Sequence, residues 1–312
     1  MSLANALADP LRQSRPVKVL DRSITKGRLA HGILLHGNDL DVLEEVGLAL
    51  ASVLLKPSRE VSLHPDFFTL RPTHKARQIR IGNTRELIRQ IQHSPHQGEK
   101  KVALVHEADR MNRESANAFL KTLEEPPTNT TIILLSTRPY ALLDTIRSRC
   151  FNFHIPSQLN RSRDAEWQSW LEDYRHWLVQ LRSKVRSAQA KADLVLAAYG
   201  LVRRYQCIIK EYSGSIGKNE KDLIPQHLDD EEKEAYEIGM SKRIRQQLII
   251  ELEIITRDFA IELIKGSEPF PTRQLARAIA HLEHSARLLE VNLNEGAAME
   301  YFLLNSLRIW AK

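Results

Sequence analysis

The stretch Arg28-Leu29-Ala30-His31-Gly32-Ile33-Leu34-Leu35-His36-Gly37 decides the fold, because a short apolar run rises out of a loop and stops at a glycine. Runs of the same kind recur at residues 67–70, 102–105, 132–135 and 151–155, with helical patterns between them. Short buried strands alternating with helices predict a parallel sheet covered by helices, an α/β domain. Between the second and third runs, Asn83-Thr84-Arg85-Glu86 precedes Leu87, Ile88 and Ile91, which predicts a helix capped by Asn83 with Glu86 reaching back. A second helix is predicted after Asn112. Its Ala116, Phe119, Leu120 and Leu123 recur at i, i+3, i+4 and i+7, and Pro126-Pro127 ends it.

Beyond Pro156 the strand signals vanish. Trp167, Trp170, Leu171, Tyr174, Trp177, Leu178, Leu181 and Val185 form one apolar stripe among Arg and Lys, which predicts a helix packing into a core rather than a platform for stacking bases. Residues 213–239 turn polar, with Gly214, Gly217, Pro225 and the acidic run Asp229-Asp230-Glu231-Glu232, and read as a linker. Helical periodicity resumes at 248–263, breaks at 266–271 and continues from Leu275 to Trp310, as in a helical bundle. The expected division is a sheet domain over 1–156, a helical region over 157–212, the polar linker 213–239 and a helical domain over 240–312.

Composition limits what such a chain can do. Among 312 residues, 45 Lys and Arg stand against 39 Asp and Glu, for a net charge of +6, and 42% are hydrophobic. That balance supports about two folded domains and excludes a disordered or collagen-like chain. With only Cys150 and Cys207, neither a disulfide framework nor a four-cysteine zinc site can form. His64 and His74 have no partner at metal-ligand spacing, so no histidine metal site is expected. The first eleven residues have no cationic start, and no uncharged run is long enough to cross a bilayer, so a cytoplasmic, reducing location is expected. A pI near 9.3 fits a polyanionic partner and a basic helical surface equally well.

A strand ending in glycine is where a phosphate-binding loop begins, but the residues after Gly37 are wrong for one. In G-x-x-x-x-G-K-[ST], backbone amides, a lysine and a hydroxyl converge on phosphates and Mg²⁺. Here Val42 stands at the second glycine, Leu43 at the lysine and Glu44 at the hydroxyl, with Asp39, Asp41 and Glu45 crowded alongside. Like charges about 4 Å apart repel by roughly 4 kcal/mol at an effective dielectric near 20, so a triphosphate would be held poorly. The run Val102-Ala103-Leu104-Val105 should deliver an Asp-Glu pair for Mg²⁺ and the attacking water, and it delivers His106-Glu107. Histidine is a poor ligand for so hard an ion. Both defects predict loss of hydrolysis.

Residues 28–37, the triplet His64-Pro65-Asp66, residues 81–87, the block from His106-Glu107-Ala108-Asp109 through Leu123-Glu124-Glu125-Pro126-Pro127, and Ser148-Arg149-Cys150 resemble the AAA+ module of bacterial DNA polymerase III clamp-loader subunits. The resemblance is greater to the delta-prime subunits, whose phosphate loop can be degenerate, than to the hydrolysing gamma/tau subunits. It covers about the first half of the chain. A weaker likeness at 282–307, including Asn292 and Asn294, is to the collar helices that assemble these subunits into a ring. The family's cysteine cluster before His64 is missing, so no zinc is expected, and the tryptophan-rich region does not read like the usual lid.

The resemblance implies an AAA+ domain, a lid-like region at 157–212 and a collar at 240–312. It implies Arg149 as an arginine finger completing a neighbour's ATPase site, with Arg147 either assisting or solvated and Cys150 a small buried residue. ATP and Mg²⁺ would be held by neighbouring subunits and not by this chain, which would have no ATPase of its own within a DNA-directed DNA polymerase holoenzyme. Gamma/tau-like and delta-like subunits, the sliding clamp and primer-template DNA are the implied partners. Arg80, Arg85 and Arg89 are candidates for DNA contact, or equally a solvated basic helix face. The competing readings are an active AAA+ ATPase and a standalone DNA-binding protein derived from that fold.

Overall fold

Each apolar run of the first half forms a strand: β1 (Gly32–His36), β2 (Phe67–Leu70), β3 (Lys101–Val105), β4 (Thr130–Ser136) and β5 (Phe151–His154). The computed structural model describes residues 2–156, 164–182, 187–216, 228–265, 271–290 and 294–311. The strands pair in parallel in the order β2-β3-β4-β1-β5. Successive side chains of a strand face opposite ways, so the unbroken apolar runs serve two cores. Ile33 and Leu35 share a core with Val17 and Leu20 of α1 (Arg15–Thr25) and with Leu43, Val46 and Leu50 of α2 (Leu40–Leu55). Leu34 packs on the other face with Leu87 and Ile91 of α3 (Ile81–Gln92) and Phe119 and Leu123 of α4 (Arg113–Glu124). The carboxyl ends of all five strands therefore share one edge, where ligands of such sheets bind.

Asn112 caps α4 as expected, its Oδ1 accepting from Ser115 N at 2.8 Å. The expected cap of α3 is wrong. That helix starts two residues before Asn83, with Arg80 at the N-cap and no side chain capping it. The cause is tertiary: Ile79 donates its N–H to Arg110 O and accepts at its carbonyl from Asn112 N and Ser115 Oγ, so the extended chain is fixed up to Ile79. Glu86 instead accepts from Arg89 and Gln90.

The short α5 (Asp144–Arg147) leads into β5, and the second half is helical: α6 (Ala165–Arg182), α7 (Ala188–Ile216), α8 (Asp230–Lys265), α9 (Thr272–Glu290) and α10 (Glu295–Trp310). Contacts divide the chain into two units, Met1–Leu159 with His227–Tyr236, and Asn160–Gln226 with Glu237–Lys312. Where separate lid-like and collar parts are expected, the second unit has a single core. Trp167, Trp170, Tyr174 and Trp177 of α6 share it with Phe259 of α8, Ala278 of α9 and Phe302 and Trp310 of α10. Trp170 stacks on both Trp167 and Tyr174, at 5.0 and 5.7 Å between ring centroids, and donates its indole N–H to Leu201 O at 2.9 Å. Rings so fully buried cannot stack on bases, in keeping with the core reading.

The polar linker is also corrected. Residues 213–216 continue α7, and 230–239 belong to α8; Gly217, Pro225 and the rest of 217–227 lie outside the described residues, as do Val185, most of the 266–271 break and Asn292. The acidic run starts a helix because Asp229 Oδ1 accepts from Glu232 N at 2.7 Å while Glu232 Oε2 accepts from Asp229 N at 3.3 Å, a reciprocal cap in which carboxylates also complement the helix dipole. Asn294 Oδ1 likewise starts α10 by accepting from Gly296 N and Ala297 N. Among the described residues, no helix is long and apolar enough to cross a membrane.

All four tryptophans lie in the helical unit, so their fluorescence follows its unfolding alone. Trp170→Ala should destabilise that unit by about 3–5 kcal/mol, read as a lower urea midpoint for the fluorescence transition.

Candidate functional site

At the end of β1 the chain passes close against the residue that follows β5: a Cβ added to Gly37 would lie 2.5 Å from Ile155 O. Asp39 then takes the extended N-cap position of α2, and its Oδ1 accepts from the N–H groups of Asp41 at 3.0 Å and Val42 at 3.4 Å. These amides, with the positive end of the helix dipole, are what a phosphate loop keeps for its ligand. Here the chain's own carboxylate occupies them. Val42 is packed against the core and Leu43 is wholly buried in it, so no cation extends from the lysine position. Glu44, at the hydroxyl position, accepts from Arg71 Nη2 at 2.6 Å, with its side chain 16% exposed and that of Arg71 9%.

The second half of the expected nucleotide site lies on the same edge. His106, following β3, is buried, with Nδ1 3.7 Å from Glu44 Oε1. Glu107 adopts a left-handed backbone, φ 46°, and accepts with both oxygens from Arg77, while Arg110 Nε lies 3.5 Å away. Asp109 accepts from Ser136 Oγ at 2.7 Å, tying the ends of β3 and β4 together. Burial raises the Asp109 pKa, opposed by that hydrogen bond and by Arg110. Gly37, Val42, Leu43, Glu44, His106 and Glu107 thus converge where a nucleotide would sit, but they do not fit Mg-ATP. The helix terminus is capped by an anion, the lysine is replaced by core, and the two carboxylates are committed to arginines.

Arg71 and Arg77 were not singled out from the sequence. The signal was available, since they follow directly on the run 67–70 and so fall on the same carboxyl edge as Gly37 and His106. Their loop is met by the start of α8: His74 N donates to Glu231 O at 3.1 Å, and His74 Nε2 lies 3.2 Å from Glu231 Oε2. Burial raises the Glu232 pKa, with Arg71 acting in the opposite direction.

Arg149 stands at the corner between α5 and β5. Its Nε donates to Glu124 Oε1 at 2.7 Å, Nη2 meets the same carboxylate, and Nη1 donates to Thr145 O at 2.9 Å. Cys150 is buried, which pushes its thiol up to about 12. Arg147 pairs with Asp144 at 2.7 Å and lies over the exposed Tyr140 ring. On α3, Arg80, Arg85 and Arg89 are all exposed. Arg89 is engaged with Glu86, whose carboxyl it holds below the usual range, an exposed pair of little energetic weight. His64-Pro65-Asp66 is structural: buried Asp66 accepts from His96 N and Gln97 N at 2.6 and 2.7 Å, and His64 Nδ1 accepts from Asp66 N. His31 meets Leu123 O at 3.1 Å.

Glu44→Ala strands Arg71 in a largely desolvated position and should cost about 3 kcal/mol, read from circular dichroism during urea unfolding. Asp109→Asn should act in the opposite sense at neutral pH. A carboxyl whose folded pKa is raised is a penalty once ionised in both states, absent below the unfolded value and growing as pH rises through the folded one. The variant's urea midpoint should therefore exceed the parent's at pH 7, and the advantage should shrink as pH falls toward 4.

Residues 12–158 match the family described as DNA polymerase III, delta subunit. The chain is 42% identical over 93 residues to the DNA polymerase III subunit delta' of Pseudomonas aeruginosa, a match covering 30% of this chain and 28% of that protein. It is 33% identical over 158 residues to the delta' subunit of Yersinia pestis, covering 45% and 46%. With the tau subunit of Escherichia coli it shares 31% over 161 residues, covering 47% and 25%. It thus spans less than half the length of each of these relatives. Among solved structures, a gamma subunit-related protein of Thermotoga maritima aligns over 93% of this chain and 98% of that one, with TM-score 0.45 and 21% identity. Over residues 12–158, then, this chain is similar to the delta-prime subunits of the DNA polymerase III clamp loader.

Proposed function

We propose that this chain acts in the cytoplasm as the non-hydrolysing, delta-prime-like subunit of a sliding-clamp loader. It assembles with gamma/tau-like and delta-like subunits, and lends Arg149 to the ATP site of a neighbour. The observation that carries the reading is the carboxylate of Asp39 on the amides of α2, with Glu44 turned away to Arg71. A phosphate arriving there would have to displace a covalently tethered anion and would find no lysine. A subunit of this kind contributes to catalysis only through what it presents to another subunit, and a guanidinium placed on a neighbour's phosphates stabilises transition-state charge.

The likeness to tau subunits favours a second reading, an active ATPase, and equilibrium binding separates the two. The purified chain should show no saturable uptake of labelled Mg-ATP up to millimolar concentration; tight uptake, lost on changing Asp39 and Glu44, supports the ATPase instead. Contact with primer-template DNA through Arg80, Arg85 and Arg89 is part of the proposal and is supported by the uncapped start of α3. Tight, steeply salt-dependent DNA binding by the lone chain would favour a standalone DNA-binding protein. In a reconstituted loader, Arg149→Ala should lower DNA-stimulated ATP turnover by roughly 10³-fold while the subunits still co-elute, and undiminished turnover would remove the finger assignment.

A further inference from the structure

An arginine that completes another subunit's site has to arrive in a defined orientation, because a long side chain has many rotamers to lose. Around Arg149 the backbone is already fixed. Arg149 N donates to Ile146 O, Asn152 Nδ2 donates to the carbonyls of Arg147 and Cys150 at 3.3 and 3.2 Å, and the buried Cys150 side chain anchors the next position. Gly32 lets β1 pass beside this corner, since a Cβ there would lie 3.1 Å from Arg149 O. The side chain is fixed separately. Glu124, the last residue of α4, takes Nε and Nη2 on Oε1, and Thr145 O takes Nη1. Three of the five guanidinium N–H groups are thereby directed into the chain's own structure, and two remain for an acceptor outside it.

We infer that Glu124 is the positioning residue for Arg149: it orients the guanidinium from the end of a rigid helix so that the remaining N–H groups face an oxyanion held by another subunit. This rests on the reading of Arg149 as an arginine finger and adds a residue to it. Both side chains are partly exposed, 34% for Arg149 and 48% for Glu124, so the pair's strength is too small for a stabilising role to explain it. Its position next to the finger is the more informative property. Glu124 acts by accepting hydrogen bonds, so an amide oxygen in its place retains much of the effect, while a methyl group retains none.

The test is steady-state ATP turnover of the reconstituted loader with primed DNA and clamp, comparing the parent with E124A, E124Q, R149A and the E124A/R149A double variant. Misplacing a group in such a site by about 1 Å costs up to about 10²-fold, so E124A should lower kcat by roughly tenfold. KM for ATP should stay within about twofold, because this chain holds no nucleotide, and E124Q should recover most of the loss. The double variant should match R149A alone, since Glu124 works only through that arginine. Equal melting temperature and co-elution of E124A with the parent separate positioning from misfolding. If R149A is inactive while E124A matches the parent, or if E124A lowers turnover further in the R149A background, the positioning role is overturned and the finger stands. If R149A itself turns over normally, both fall.

Discussion

The first turn of a helix carries a small set of unpaired amides at the positive end of its dipole, and it can serve one anion at a time. In α2 that anion is Asp39, only one residue before the helix begins. The remainder of this sheet edge can be understood from that choice. Where a nucleotide would bring phosphates and a metal ion, charges must be balanced by groups the chain already owns, and Glu44 and Glu107 meet Arg71 and Arg77 from a single loop after β2. Helix α3 makes the opposite choice. No side chain caps it, and its N-cap is Arg80.

Carboxylates paired with the chain's own arginines respond to their surroundings differently from groups that hold a ligand. Stabilisation by a ligand scales with the logarithm of its concentration over Kd, so a nucleotide-binding module is tighter or looser as nucleotide comes and goes. An internal ion pair has no such dependence. Buried pairs are poor sources of net stability, because desolvating both partners offsets most of their attraction, yet removing one partner is costly. Such a network therefore contributes little to overall stability while fixing the positions of strand ends, and Asp109 to Ser136 extends it from β3 to β4.

The helical unit follows a different principle. Its amphipathic faces are not independent domains brought side by side, because the aromatic stripe of α6 is buried in one core that residues of α7, α8, α9 and α10 share. The three buried indoles of α6 need acceptors, and they find them in Leu194 O, Leu201 O and the carboxylate of Glu251. Those contacts specify register, since a helix shifted by one residue would leave an N–H buried and unpaired.

The same distinction explains what could be read from the sequence. The five strands and the α4 cap were legible because each is determined by residues within a few positions of one another: an apolar run, a turn, an asparagine before a periodic stretch. The residues at the phosphate-loop positions were legible for a similar reason, since Leu43 and Glu44 stand at known distances from Gly37 whatever surrounds them. The start of α3 was not, because Ile79 is pinned by Arg110, Asn112 and Ser115, some thirty residues on, and a long-range backbone contact outranked the local capping signal of Asn83. Arg71 and Arg77 escaped for a related reason: their role depends on parallel strands ending at one edge, a property of the sheet rather than of the loop. The acidic run at 229–232 is the instructive exception, because its capping pattern was local and visible, yet composition alone suggested a linker. Charge density in a short segment says that water is near; the spacing of Asp229 and Glu232 says where the backbone turns, and of the two the spacing was the physical signal.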